Sequence, residues 1–509
     1  MRRATDVVIL GVAISACVLS GSLLANVTPS SDGVPRAVTI ARTTTIPGCS
    51  LFVDAAAKGG GDGTAQNPFG TIAAAVDAAD PGAVICVAEG TYAETLAPGE
   101  KHFTLAGGFQ SGQGFALRDS ARHVTRAQGN GGSFLRIEDP GPRGDQLTAI
   151  DGFEITGYSQ AIYRAVYYSQ RFDITNNFIH DNVCADASLV GGGFALENVT
   201  GVIKGNVFLN NRCGRGGAGF VNDATNENTV SIENNRIEGN AGTEPDSSHG
   251  GAIYLFVNKV DITGNLFVNN SVTQWGGGLY VGASGGQQTS ATLAWNVYRG
   301  NRAGNGGGGF FCDDGAKCVS AHEIHDGNCG GNILLDSGYD GTGATIASFD
   351  QLTNVNALDV ECAGPGPGVR VDKGGPAPDA YAFTNALFWG NGKDADFITA
   401  CGSDCGAVTV QVAHSMVQTT YQNNGVSIAF GDGIVVPVDP LFADPKGSDF
   451  HLRSAAGRWT ETGHVQDDTT SPAIARGDPA RPARGSPARA GDRRELGAYG
   501  DSSEASYVE

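Results

Sequence analysis

The chain has 509 residues, enough to bury a large core, and 76 of them are glycine, about twice ordinary usage and without a collagen period. Its 53 acidic against 33 basic residues give a formal net charge of −20. Such a surface repels nucleic acid and anionic lipid headgroups, and it supplies no general steering toward polyuronates.

In chain order, residues 1–25 read as a signal peptide or lipoprotein signal: Arg2 and Arg3 precede an apolar run from Val7 to Leu24. Ile14-Ser15-Ala16-Cys17 has the form of a lipobox, and removing Cys17 from the 11 cysteines leaves an even number. Val18 to Val27 stays apolar, which argues against lipidation, so a lipid anchor, ordinary secretion and an uncleaved anchor all remain open. Each places the chain outside the cytoplasm, at the bacterial cell surface, attached to the outer membrane or extracellular. Membrane contact is expected only through that N-terminus. Residues 26–48 read as a flexible leader, and 49–110 as an N-terminal cap with the first coils. There Thr71 to Ala79 forms a short helix with Ile72 and Val76 on one face, stopped by Pro81 and Gly82. Placed ahead of the strand Ala83 to Ala88, it suits the open end of a hydrophobic core.

From Asn177 a phrase repeats: NFIHDN, NVFLNNRCGRGGAGF, NRIEGNAGTEPDSSHGGAIYLF, NLFVNNSVTQWGGGLYV and NVYRGNRAGNGGGGFF. Equivalent asparagines fall at Asn177, Asn206, Asn235, Asn265 and Asn296, in steps of 29, 29, 30 and 31 residues. Glycine pairs and triplets in every copy exclude helical repeats, since glycine costs about 1 kcal/mol in a helix interior. Pieces such as Val199 to Val207, Thr229 to Ile237 and Lys259 to Phe267 alternate apolar with polar residues and read as short strands. Short strands turned by glycine and asparagine make a parallel β-helix over residues 111–475, with Asn amides bonding from rung to rung. Phe178, Phe208, Phe267 and Tyr298 are expected inside, stacked on one another. Residues 363–380, rich in Pro and Gly, read as an inserted loop, and 476–509 as an Arg-rich tail.

FLNN with GGAGF and FVNN with GGGLY resemble the repeats of chlamydial polymorphic outer membrane proteins. GDGTAQNPFGTIAAAVDAADPGAVICVAEGTYAE from Gly61 and DPLFADPKGSDFHL from Asp439 are similar to the opening and close of an uncharacterised bacterial branch of the pectin lyase-like superfamily. That resemblance implies an all-β fold, a single-stranded right-handed parallel β-helix with an N-terminal helical cap. It implies little about chemistry, because the frame carries lyases, hydrolases, epimerases, adhesins and inert surface proteins.

Candidate residues are those the repeat does not explain. Cys312 with Cys318, Cys401 with Cys405, and Cys184 with Cys213 have spacings suited to disulfides in an oxidising compartment. Asp145, Asp336 with Asp340, and Asp444 with Asp449 are the acids available to Ca2+, although none forms a recognised calcium loop; no other cofactor is indicated. Asp313 and Asp314 are adjacent carboxylates of the kind a polygalacturonase uses, without the companion GHG and RIK motifs, and His322 and His325 follow as proton carriers. Adjacent strand residues point to opposite faces, which weakens the Asp pair. Arg212, Arg236, Arg299 and Arg302 recur after successive strands and are expected to line one edge of the rod, where they grip a polymer or are simply solvated. Trp275 stands in a loop where no strand pattern demands a large ring, and suits a sugar ring or a protein partner. Two readings result: a monomeric surface rod that binds an extracellular polysaccharide or cell-envelope component, and a polysaccharide lyase or glycoside hydrolase, calcium-dependent or not.

Overall fold

The computed structural model describes residues 48–508, apart from 58, 139–140, 142–143, 226, 284–287, 314, 337–343, 359–365, 374–377, 392–395 and 402–407. The signal, the leader up to residue 47, Asp314, Asp340 and Cys405 lie outside the described residues.

Each Asn-marked piece of sequence becomes two strands. Val199–Lys204 and Val207–Leu209, Thr229–Glu233 and Arg236–Glu238, and Lys259–Thr263 and Leu266–Val268 are joined by two-residue turns. The first turn residue is left-handed, as in Gly205 (φ 66°), Asn234 (φ 52°) and Gly264 (φ 68°). Glycine, and to a lesser degree asparagine, take that conformation cheaply, which is why they punctuate the repeat. Each coil then crosses a two-residue strand such as Arg212–Cys213, passes a glycine-rich bend, runs a strand such as Gly219–Asn222, and returns. Among the described residues the coils stack into parallel sheets of 14, 11 and 11 strands, here the first, second and third, and a small fourth sheet of 4.

Register places like on like. Ile174, Ile203, Ile232, Ile262 and Leu293 form one column of the first sheet and are fully buried, each contributing about 1.5–3 kcal/mol. In the second sheet Ile179, Phe208, Ile237, Phe267 and Tyr298 point inward. The Phe267 and Tyr298 rings lie 4.8 Å apart, nearly parallel. Phe178 corrects the sequence expectation: it faces outward and stacks on His180, because Ile179 holds the inward position opposite Phe208.

The second turn residue carries the asparagine ladder. Asn177, Asn206, Asn235, Asn265 and Asn296 are buried, and each donates its backbone N–H and side-chain amide to the next side-chain oxygen at 2.9–3.1 Å. The last acceptor is not asparagine but Glu323, which takes both bonds from Asn296. A second ladder runs from Asn182 through Asn211, Asn240, Asn270 and Asn301 to Asn328.

At the N-terminal end a helix spans Ile72–Ala78 with Thr71 as N-cap. The Glu94 carboxylate accepts from Ile72 N (2.9 Å) and Ala73 N (2.8 Å), satisfying two free donors of the first turn. Its Ile72, Ala75 and Val76 are buried in the main core, against the first strands of the first sheet. Cys184 and Cys213 are bonded between neighbouring coils (Cα–Cα 4.8 Å), and Cys312–Cys318 crosses the interior. Cys49–Cys86 was not marked by spacing, and Cys329 and Cys401 are also held in disulfides. Replacing Cys184 and Cys213 together by Ser is expected to cost about 3–4 kcal/mol through loop entropy, measured as a lower urea midpoint.

One expectation for the C-terminal half changes. Within 363–380, read as an inserted loop, Val369–Lys373 is a strand of the third sheet, paired on both sides. The Arg-rich tail folds back onto the rod: Arg481 and Arg494 pair with Asp350 at 3.0 and 3.3 Å, and Ala498 N donates to Thr353 Oγ1. Phe442, Phe450, Leu496 and Tyr499 thereby cover Ile324, Val355 and Leu387 of the second sheet.

Candidate functional site

The structure separates the residues expected to act together in catalysis. Asp313 follows the third-sheet strand Phe310–Cys312, and Tyr280 Oη donates to its Oδ2 at 2.6 Å. From there Lys317–Ala321 carries the chain along the first sheet to His322. His322 is left-handed (φ 60°), stacked on Trp295, and its Nδ1 donates to Ala498 O at 2.8 Å. Burial holds its pKa below the usual histidine range. His325 points into the rod, stacked on Tyr298 at 4.5 Å and fully buried. Burial pushes it down to about 3, with the Asn332 backbone opposing. Asp313 is on the outward side of the third sheet, His322 in the turn before the second sheet, and His325 in the core.

The basic row is also divided. Arg236 and Arg299 project from the second sheet, where Arg236 pairs with Glu238 and Arg299 with Asp326 at 3.2 Å. Arg212 and Arg302 belong to the fourth sheet and share one register, Arg212, Ala241, Ser271, Arg302. Three rung spacings put them about 14 Å apart along the axis. Both are exposed, and they line an open groove of about 1040 Å³ that continues past Gly330, Pro367 and Arg370 to Asn424. Its bed is mostly Ala, Gly, Ser and Val backbone, flat enough for an extended chain. Arg370 was not singled out from sequence because it lies in the stretch read as a loop. It pairs with Asp372 and donates to Asn305 O at 3.1 Å.

Trp275 has a packing partner that the sequence did not reveal. His249, one coil earlier, lies at 5.4 Å in stacked geometry, and both belong to an aromatic layer with Tyr254 and Tyr280 on the outward face of the third sheet. Burial, followed by the Arg215 charge, lowers His249 to about 4, so it is a neutral ring in that layer. On the same face Asp336 stands opposite Asp372, with Asp313 in the preceding coil. Among the described residues no three of His, Cys, Asp and Glu converge as a metal cage. Asp449, a calcium candidate, is engaged by His451 (2.6 Å) and Arg458 (3.5 Å).

The family described as Periplasmic copper-binding protein (NosD) matches residues 131–328, and that described as Disaggregatase related matches residues 410–477. The first match falls on the regular coils. The chain belongs to the right-handed parallel β-helix superfamily. Two crystal structures are similar at a TM-score of 0.37 each. A GH136 lacto-N-biosidase from Eubacterium ramulus is 10% identical, with 76% of this chain and 68% of that one covered. The pectate lyase Pel9A is 14% identical, with 92% and 98% covered. No curated protein matches the chain. These matches do not support the likeness to polymorphic outer membrane proteins.

Copper centres use thiolate, thioether or imidazole ligands. In this β-helix, over residues 131–328, Cys184, Cys213, Cys312 and Cys318 are in disulfides and methionine does not occur. Of the four histidines there, His325 is sealed in the core, His322 faces the tail, His180 is held by Glu154 and Asp181, and His249 is stacked in the aromatic layer. These residues do not fit a copper site. The disulfides fit an exported protein, and no helix among the described residues is long and apolar enough to cross a membrane.

Proposed function

We propose that this β-helix is an exported, monomeric surface rod that holds an extended glycan or cell-envelope polymer in the groove beside the fourth sheet. The observation that carries this reading is the pair Arg212 and Arg302, exposed and in one register above a bed of small residues. Guanidinium groups bind carboxylates or sulfates, and a pair about 14 Å apart can hold two separated units of one extended polymer. With a net charge of −20 the attraction is local rather than long-range. The helix Ile72–Ala78 shields the end of the rod from edge pairing.

The test is retention of the signal-free protein on acidic and neutral polysaccharides, with and without Ca2+. Arg212→Ala with Arg302→Ala is expected to weaken retention about tenfold, the loss of two exposed contacts of about 0.7 kcal/mol each. Unchanged retention sinks the groove assignment. The aspartates on successive rungs of the third sheet favour a second reading, a glycoside hydrolase or lyase. The rung spacing of about 4.8 Å is near the carboxyl separation of about 5–5.5 Å used by retaining glycosidases. New reducing ends or an unsaturated, ultraviolet-absorbing product in the same screen would establish it over simple binding.

A further inference from the structure

We propose that a pocket on the outward face of the second sheet, walled by Trp295, binds a single uncharged aromatic ring. The site is separate from the groove and does not depend on it. A cavity of about 270 Å³ opens where Ser448, Phe450 and Tyr499 of the C-terminal segment lean over Leu266, Val297 and Trp295.

Trp295 holds the first position of the turn between the first and second sheets, with φ 59°. The same position is Asn176, Gly205, Asn234 and Gly264 in the preceding coils and His322, Gln351 and Asn385 in the following ones, all left-handed. A bulky residue held there bears a backbone cost that asparagine avoids, and such cost collects at functional positions. Trp295 packs at the edge of the cluster that the C-terminal segment forms with the second sheet, and part of its ring faces the cavity. On its downstream side the indole stacks on His322, centroids 3.9 Å apart and 9° from parallel. On its upstream side the neighbouring rung supplies Gly264, whose amide bonds Ala294 O at 2.9 Å and which has no side chain to cover the ring. The indole is only partly buried.

The remaining walls decide what fits. Arg299 is paired with Asp326 at 3.2 Å and donates to Lys446 O at 2.7 Å, so the pocket carries no unbalanced charge from this pair. His322 uses Nδ1 on Ala498 O. A hydroxyl-rich sugar entering here would lose water for few partners, the Ser448 and Tyr499 hydroxyls among the lining residues. A flat aryl ring keeps its apolar faces against Trp295, Leu266 and Phe450 and continues the stack begun by His322. The volume is below that of drug-sized sites and suits a small ring.

The probe is phenol, with glucose as control, followed by ligand-observed NMR on the protein in its full described length. Saturable phenol binding and no glucose binding are expected. Gly264→Asn, which places over the indole a residue this turn already carries at Asn176 and Asn234, is expected to weaken phenol binding at least tenfold. Trp295→Asn is expected to do the same with a thermal midpoint no lower than that of the parent. Absence of saturable phenol binding, glucose binding of equal strength, or phenol binding unchanged in Gly264→Asn would overturn the proposal.

Discussion

Asn235→Leu is expected to destabilise the rod by about 3–5 kcal/mol, although it removes no apolar contact and keeps the number and branching of side-chain heavy atoms. Asn235 donates Nδ2 to Ile203 O (2.8 Å) and Asn265 Oδ1 (2.9 Å), and its Oδ1 accepts the backbone N–H (2.9 Å) and the amide (3.0 Å) of Asn206. Leucine leaves the Asn206 N–H and the Ile203 carbonyl buried without partners, at about 1–3 kcal/mol each, and breaks the ladder on both sides. A urea midpoint shift of that size would be read by circular dichroism. A loss under about 1 kcal/mol would show that the ladder adds register and not stability.

The second large effect is on pH dependence. His325 lies at about 3 because burial disfavours its charged form, and Glu323 is pushed up to about 8, again by burial first, with the Asn296 bonds opposing. Between pH 3 and 6.5 the unfolded chain binds the histidine proton and the folded chain does not, so His325 makes stability fall as pH drops below 6.5. Between 4.5 and 8 the folded chain keeps the Glu323 proton that the unfolded chain has released, so Glu323 makes stability fall as pH rises through that window. Each slope reaches about 1.4 kcal/mol per pH unit. His325→Phe is therefore expected to flatten the acid limb and to extend the Phe267–Tyr298 stack, raising stability at pH 5. Glu323→Asn is expected to restore the ladder's own residue and flatten the rise toward pH 8. The comparison is of each variant with the parent, since Glu495, also at about 8 through burial, and His249 titrate in the background. Parallel stability curves for parent and His325→Phe between pH 4 and 7 would contradict the assignment.

Much of the frame was legible because its requirements are local. A left-handed turn residue, an amide at the next position and an inward apolar residue two further on are each written in the chain, so Asn206, Asn235 and Phe267 could be placed without neighbours. Phe178 was misplaced because the phrase begins NFI where the next copy has NVF, and one residue of offset turns a side chain through the sheet. Glu323 was overlooked because an acid in an asparagine position shows only once the coils are aligned. The candidate site was less legible. Asp313, His322 and His325 are close in sequence, yet each faces a different way: the third sheet's outward side, the turn before the second sheet, and the core.

By itself, then, the sequence determined the stacked coil, its period and the buried ladders, since these follow from backbone conformations that each residue selects for itself. Only the tertiary structure decided which side chains share a surface. Arg212 and Arg302, each six residues after its ladder asparagine, stack in the fourth sheet, whereas Arg236 and Arg299, one and three residues after theirs, project from the second. Contacts over more than a hundred residues lay the C-terminal segment across the second sheet, and nothing local to Trp295 or Tyr499 encodes that they would wall one pocket.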